Sequence, residues 1–139
     1  MQQGRDIFTL SVPVAPGAVV AFRGVDFAGA QIAAANAKGM GISKRAAAVG
    51  ESYEAAVIGS CVAETGGVFA VGDALAFDNQ GRVVLAASLA VAAGAVAMTS
   101  AAANGAADLT GGVLPQFVCA DALEASGGAG VFVEVLLRR

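Results

Sequence analysis

Histidine is absent from the 139-residue chain, and so is tryptophan. Without histidine the commonest general base and the commonest metal ligand are both missing. A histidine-assisted serine or cysteine triad is therefore excluded. A single tyrosine leaves little from which to build an aromatic platform for sugars or bases. Charge is scarce as well: 8 basic and 11 acidic residues, 14% of the chain, give a net charge of −3. The basic residues are scattered, with no stripe to track a phosphate backbone, so nucleic acid is not an expected partner. Cysteine occurs only at Cys61 and Cys119. The opening Met1-Gln2-Gln3-Gly4-Arg5 lacks the basic-then-apolar pattern of a secretory signal. Two distant cysteines in apolar runs of such a chain are expected to be free, reduced and structural.

The remaining polar groups do not assemble into a reactive pattern. Gly39 and Gly41 precede Lys44, but the spacing of a phosphate-binding loop is missing. Asp73 and Asp78 could be imagined as the carboxylate pair of a glycosidase, although turn formation accounts for both more simply. Asp78, Asn79 and Gln80 offer one carboxylate and two amides, a poor calcium loop. The expectation is a protein without catalytic residues, cofactor or metal.

What the chain does contain is small and apolar. Alanine occurs 34 times, valine and glycine 19 times each, and 57% of residues are hydrophobic. The length suits one domain. Small side chains favour a thin core with closely approaching backbones. An alanine-rich surface poor in charge suits a protein packed against other subunits. A hydrophobic but monomeric domain is the plainer alternative.

Along the chain, residues 1–5 read as a loose polar arm. Residues 6–14 alternate, with Phe8, Leu10, Val12 and Val14 on one face, which predicts a half-buried strand. Pro13 points to an edge or a strand end. Pro16-Gly17 is a turn and residues 18–22 a strand candidate. Over residues 26–39 the signals conflict. Asp26 could cap an alanine-rich helix over 28–38 that Gly39 ends; a hairpin through Gly29 with a strand at 31–34 is favoured. Strands are expected at 39–43, 53–58 and 60–63, the last two broken at Gly59. Lys44 and Arg45 are exposed, and Val49-Gly50-Glu51 turns the chain. Residues 83–107 carry no charge. They are long enough to span a membrane, but alanine, glycine and polar residues would drive insertion weakly. A soluble helix over 88–103 is a further alternative, and strands with an irregular connection are preferred. Gly111-Gly112 and Ser126-Gly127-Gly128 read as turns, and residues 114–123 and 131–137 as strands.

The centre of the pattern is residues 66–84. Two apolar runs, 74–77 and 82–85, flank Asp78, Asn79, Gln80 and Gly81. That tetrad predicts a β-hairpin turn, with Gly81 at positive φ. A strand, a Gly66-Gly67 turn, then Val71-Gly72-Asp73-Ala74-Leu75, then Asp78-Asn79-Gln80-Gly81-Arg82-Val83-Val84 resembles the small capsid decoration, or cement, proteins of tailed bacteriophages. Upstream, Lys38-Gly39-Met40-Gly41-Ile42-Ser43 and Val49-Gly50-Glu51 are similar to the family's turns. Downstream, Ala120-Asp121-Ala122-Leu123-Glu124-Ala125 and Gly127-Gly128 are similar to its closing hairpin. The resemblance covers about residues 6–85 and 115–139.

Many short strands punctuated by turns predict one all-β domain over residues 6–139, a small β-sandwich or barrel-like fold preceded by the arm. The resemblance implies a structural virion protein on the outer surface of the phage head, made in the host cytoplasm. It implies bridging of major capsid protein subunits against internal DNA pressure, by a homo-oligomer, a trimer rather than a dimer. Neither membrane nor nucleic acid is a partner in that reading. Gln2, Gln3, Gly4 and Arg5 form a candidate capsid-contact arm, since amides and a guanidinium can bond a neighbouring chain. A tail or baseplate β-domain, including a carbohydrate-binding one, is the alternative.

Overall fold

The computed structural model describes residues 4–86 and 117–138. Within them lie eight strands and no helix. They are β1 (Asp6–Val12), β2 (Gly24–Val25), β3 (Gly41–Ser43), β4 (Tyr53–Phe69), β5 (Ala74–Phe77), β6 (Val83–Leu85), β7 (Ala120–Ala122) and β8 (Ser126–Leu137). The protein is all-β, as its alternation predicts.

β4 organises the sheet. Along its 17 residues Tyr53, Ala55, Val57, Cys61, Ala63 and Thr65 face inward, while Glu54 and Ile58 are exposed. β4 pairs antiparallel with β8, from Gly59 opposite Leu137 to Phe69 opposite Ser126. β8 pairs with β7, β7 with β5, and β5 with β6. β6 returns to β4 where Val83 lies beside Thr65. The ring is closed, a small barrel-like sheet without a free edge along its circuit. Its interior holds Leu75, Phe77, Val83, Val133 and Val135, each at most 2% exposed. A second cluster packs Val12, Val19, Val25 and Ala47 around Tyr53, between β1, β2 and the loops. β1 joins only β4.

Several boundaries differ from the sequence reading, each for a physical reason. Residues 53–63 do not break at Gly59. Gly59 has φ 107°, and a Cβ there would sit 2.5 Å from the Arg5 carbonyl oxygen. The glycine thus bends β4 and admits β1 without ending the strand. Gly66-Gly67 and Gly127-Gly128 are not turns but rungs of the β4–β8 ladder, where Gly67 faces Gly128. Ladder pairing on both sides outweighs the glycines' local turn preference. Residues 18–22 form only a single bridge, Val19 to Ala47.

No helix forms over residues 28–38. Asp26 Oδ1 accepts hydrogen bonds from the Ala28 and Ala30 amides, both at 2.9 Å, and makes a tight turn instead of a cap. The favoured hairpin exists as one bridge, Val25 to Gln31, and the strand at 31–34 goes no further. The expected inner face of residues 6–14 is mostly bare. Val12 is 9% exposed, but Phe8 is 49%, Leu10 37% and Val14 61%. The readings placed on residues 87–116 (membrane span, helix or irregular strands) lie outside the described residues.

Candidate functional site

The hairpin turn is held from within. Asp78 Oδ1 accepts from the Gln80 and Arg82 amides at 2.8 and 2.9 Å, and its Oδ2 binds Arg82 at 2.8 Å. The Gly81 amide donates to the Asp78 carbonyl, and Gly81 has φ 75°. The turn then docks on the body: the Gly24 amide donates to the Gly81 carbonyl at 2.6 Å, and Gln31 Nε2 donates to the Gln80 carbonyl at 3.0 Å. Asn79 and Gln80 are exposed. A Cβ on Gly81 would lie 2.9 Å from the Gly24 carbonyl oxygen. These contacts describe a structural joint between the β5–β6 turn, β2 and the loop before β3.

The carboxylates of the imagined pair are engaged in their own turns. Asp73 Oδ2 accepts the Ala70 amide at 2.8 Å, while both oxygens of Asp78 are bonded as above. Among the described residues no three acidic or cysteine side chains gather as a metal site; Asp78, the one carboxylate of the imagined calcium loop, is bonded within its own turn.

At the amino terminus the structure separates the residues of the predicted arm. Gly4 and Arg5 run against β4. The Arg5 amide donates to Ser60 Oγ at 2.9 Å, and the Ser60 amide donates to the Arg5 carbonyl at 3.1 Å. A Cβ on Gly4 would come within 2.8 Å of Cys61 Cα. Gln2 and Gln3 lie outside the described residues. β1 follows directly, bearing Ile7 at 81% exposure and Phe8 opposite the half-exposed Ile58 of β4. An apolar edge strand carrying such side chains is an invitation to pair.

Charges cluster around the same region. Lys44 Nζ donates to Asp6 Oδ2 at 2.9 Å and, by that bond, holds the Asp6 carboxyl below its usual pKa. Arg45 pairs with Glu54 across 3.4 Å and donates to the Ser52 carbonyl. Deeper in, Arg23 grips Glu64 through two bonds of 2.8 and 3.0 Å, a fork that raises the guanidinium pKa. Neighbouring Phe22, at φ 63°, packs edge-on against Phe132 with ring centres 5.5 Å apart. Neither the Arg23–Glu64 pair nor the bareness of β1 is read from the sequence above. Pro13, next to the strand, is the one local sign of an edge.

The lone Tyr53 is buried, and its hydroxyl donates to the Gly29 carbonyl at 2.7 Å. Burial first, then Asp26, raises its pKa. Cys61 and Cys119 are free thiols, and burial pushes each up to about 12. Cys119 also reaches the Leu75 carbonyl at 3.3 Å. Such thiols are poor nucleophiles and serve as small apolar fillers.

The sequence model of a family described as phage cement protein matches residues 2–114. The chain belongs to that family. The match takes in the alanine-rich stretch that the motif pattern leaves uncovered, and stops before the closing strands. Membership makes it a structural protein of the phage head. Among solved structures, the N base of the head fibre gp8.5 of bacteriophage phi29 shares the fold, with a TM-score of 0.63 over 94% of this chain and 95% of that one. Sequence identity is 16%, so the likeness is one of fold. No curated protein sequence matches the chain.

Proposed function

We propose that this cement-family protein decorates the outside of a phage head, where it bridges neighbouring major capsid protein subunits and holds the shell against the pressure of packaged DNA. The family match over residues 2–114 carries the reading. Its physical basis is linkage: whatever binds the assembled shell and not its separated subunits stabilises the shell. Association as a homo-oligomer, a trimer in preference to a dimer, would add contacts that are effectively intramolecular once the first has formed. Gln2, Gln3, Gly4 and Arg5 are the candidate contact arm, continuous with the apolar edge of β1. The protein acts without turnover, cofactor or metal. A sugar-binding tail or baseplate domain finds less support, because the only tyrosine is sealed in the core.

Quantifying the protein on purified phage particles tests the proposal. A decoration protein is expected on the order of the major capsid protein's copy number and sedimenting with heads freed of tails. A handful of copies, travelling with tails, would overturn it.

A further inference from the structure

Two hollows open side by side on the surface where β1 leaves the sheet. The larger, about 470 Å³, is walled by Phe27, Met40, Phe77, Phe117, Val118 and Leu137, among others. The smaller, about 330 Å³, is walled by Leu10, Val12 and Val14 of the β1 end, and again by Phe27 and Met40. The shared residues make one groove of the two. Phe27 is 59% exposed, Val14 61% and Phe117 49%, so apolar side chains meet solvent along its length. Each hollow has the volume of a small-molecule site, but such a site sets several polar groups converging on its ligand. Here most of the wall is aliphatic and aromatic, with Lys38, Arg138 and Ser11 as its polar side chains, which suits a run of side chains from another polypeptide.

The charges on the groove have one sign. Lys38 and Arg138 are the charged side chains on the described walls, and no carboxylate joins them. Arg138 is held by Asp121 at 2.5 Å. Lys38 makes no ion pair among the described residues; its Nζ sits 5.8 Å from the centre of the Phe27 ring. An ammonium poised over an aromatic wall with no carboxylate partner complements an acidic group arriving with apolar neighbours.

We propose that this groove receives an extended segment of the shell protein, apolar in its side chains and carrying a carboxylate that pairs with Lys38. The inference rests on the head-binding reading and names the place where it happens. Phe27 is the anchor, since a large exposed aromatic in a groove is the kind of residue whose loss dominates binding.

The test uses the full-length protein and purified phage heads stripped of it. Wild-type protein is expected to rebind and co-sediment. Phe27→Asp should lower the apparent affinity about tenfold or more, and Lys38→Glu about threefold. Val68→Asp, at an exposed position outside the groove, should rebind like wild type. Each variant's thermal midpoint is recorded beside wild type, so a binding loss counts only with folding intact. If Phe27→Asp fails to fold, Phe27→Ser takes its place. A photo-crosslinking residue at position 27 should capture an acid-bearing peptide of the shell protein. Equal rebinding by all variants, or a cross-link to a second copy or to the chain itself, would overturn the groove assignment while leaving head binding in place. Failure of wild-type protein to rebind would instead strike the functional reading itself.

Discussion

β1 and β8 both run antiparallel to β4, and they meet opposite fates. β8 lies inside the closed circuit, and its alternate residues Val133 and Val135 are sealed at 2% and 0% exposure. β1 lies outside the circuit, and of its apolar side chains only Val12 is buried, while Ile7 and Phe8 stand in solvent. Their compositions do not explain the difference, since both strands alternate and both are rich in valine, leucine or phenylalanine. Ring closure does. A strand with neighbours on both sides and a layer beneath it buries one face, whereas a strand on one partner leaves its apolar residues for something else to cover. In this molecule apolar exposure therefore marks surface available for contact.

The comparison predicts a steep gradient of mutational cost. The largest loss belongs inside the ring. Phe77 is 1% exposed and fills the space over Gly24 and Gly39, where an added Cβ would come within 2.4 and 2.5 Å of its ring. Phe77→Ala should destabilise the fold by about 3–5 kcal/mol, read as a lowered urea midpoint. Next comes the junction between the two regions. Gly59→Ala would force a positive φ on alanine and press its Cβ on Arg5 and Ile7. It should cost about 1–3 kcal/mol and speed amide exchange in β1 far more than in β8. Uniform loss of protection in both strands would show that β1 is integral to the ring's cooperativity.

Gly81→Ala tests the joint at the hairpin. Positive φ and the approach to the Gly24 carbonyl predict a loss of about 1 kcal/mol or more, seen in the same denaturant measurement. An unchanged midpoint would mean that the turn relaxes freely. Smaller still at neutral pH is the contribution of proton linkage. Cys61 and Cys119 hold their protons to about pH 12 in the folded state, against 9.0 for an ordinary thiol, and Tyr53 shifts in the same upward direction from 10.0. The folded state therefore binds more protons than the unfolded one above pH 9, and stability, fully present below that, should fall steadily as the pH rises toward 12. Thermal midpoints across this window check the sign, and both thiols should alkylate only after unfolding. At the bottom of the gradient, Ile7→Ser should move stability by less than about 0.5 kcal/mol, because that side chain is 81% exposed.

Much of the ring is legible in the chain. The runs around Asp78–Gly81 announce β5 and β6, since turn chemistry and alternation agree there. Period-two alternation likewise places Val133 and Val135 on one face of β8. The long reach of β4 is less legible. Gly59 and Gly66-Gly67 look locally like breaks, and only pairing with a strand far along the chain, Gly67 with Gly128, keeps them extended. Burial of β1 is illegible for the same kind of reason: alternation shows that a face is apolar, but not whether the fold supplies a layer to cover it. The Tyr53 cluster depends on such distant choices too, a hydroxyl meeting the Gly29 carbonyl and Asp26 spent on a turn. Family membership is visible in the turns, while the Phe27–Met40 groove emerges only when residues from both ends of the chain come together.

The central claim, that the exposed surface exists to brace a shell, is tested most directly on DNA-filled heads with and without the protein. Heads carrying it should release their DNA at a higher temperature than stripped heads, and adding purified protein back should restore the difference in proportion to the copies bound. Stripped and decorated heads that release DNA at the same temperature, with the protein demonstrably bound, would contradict the account.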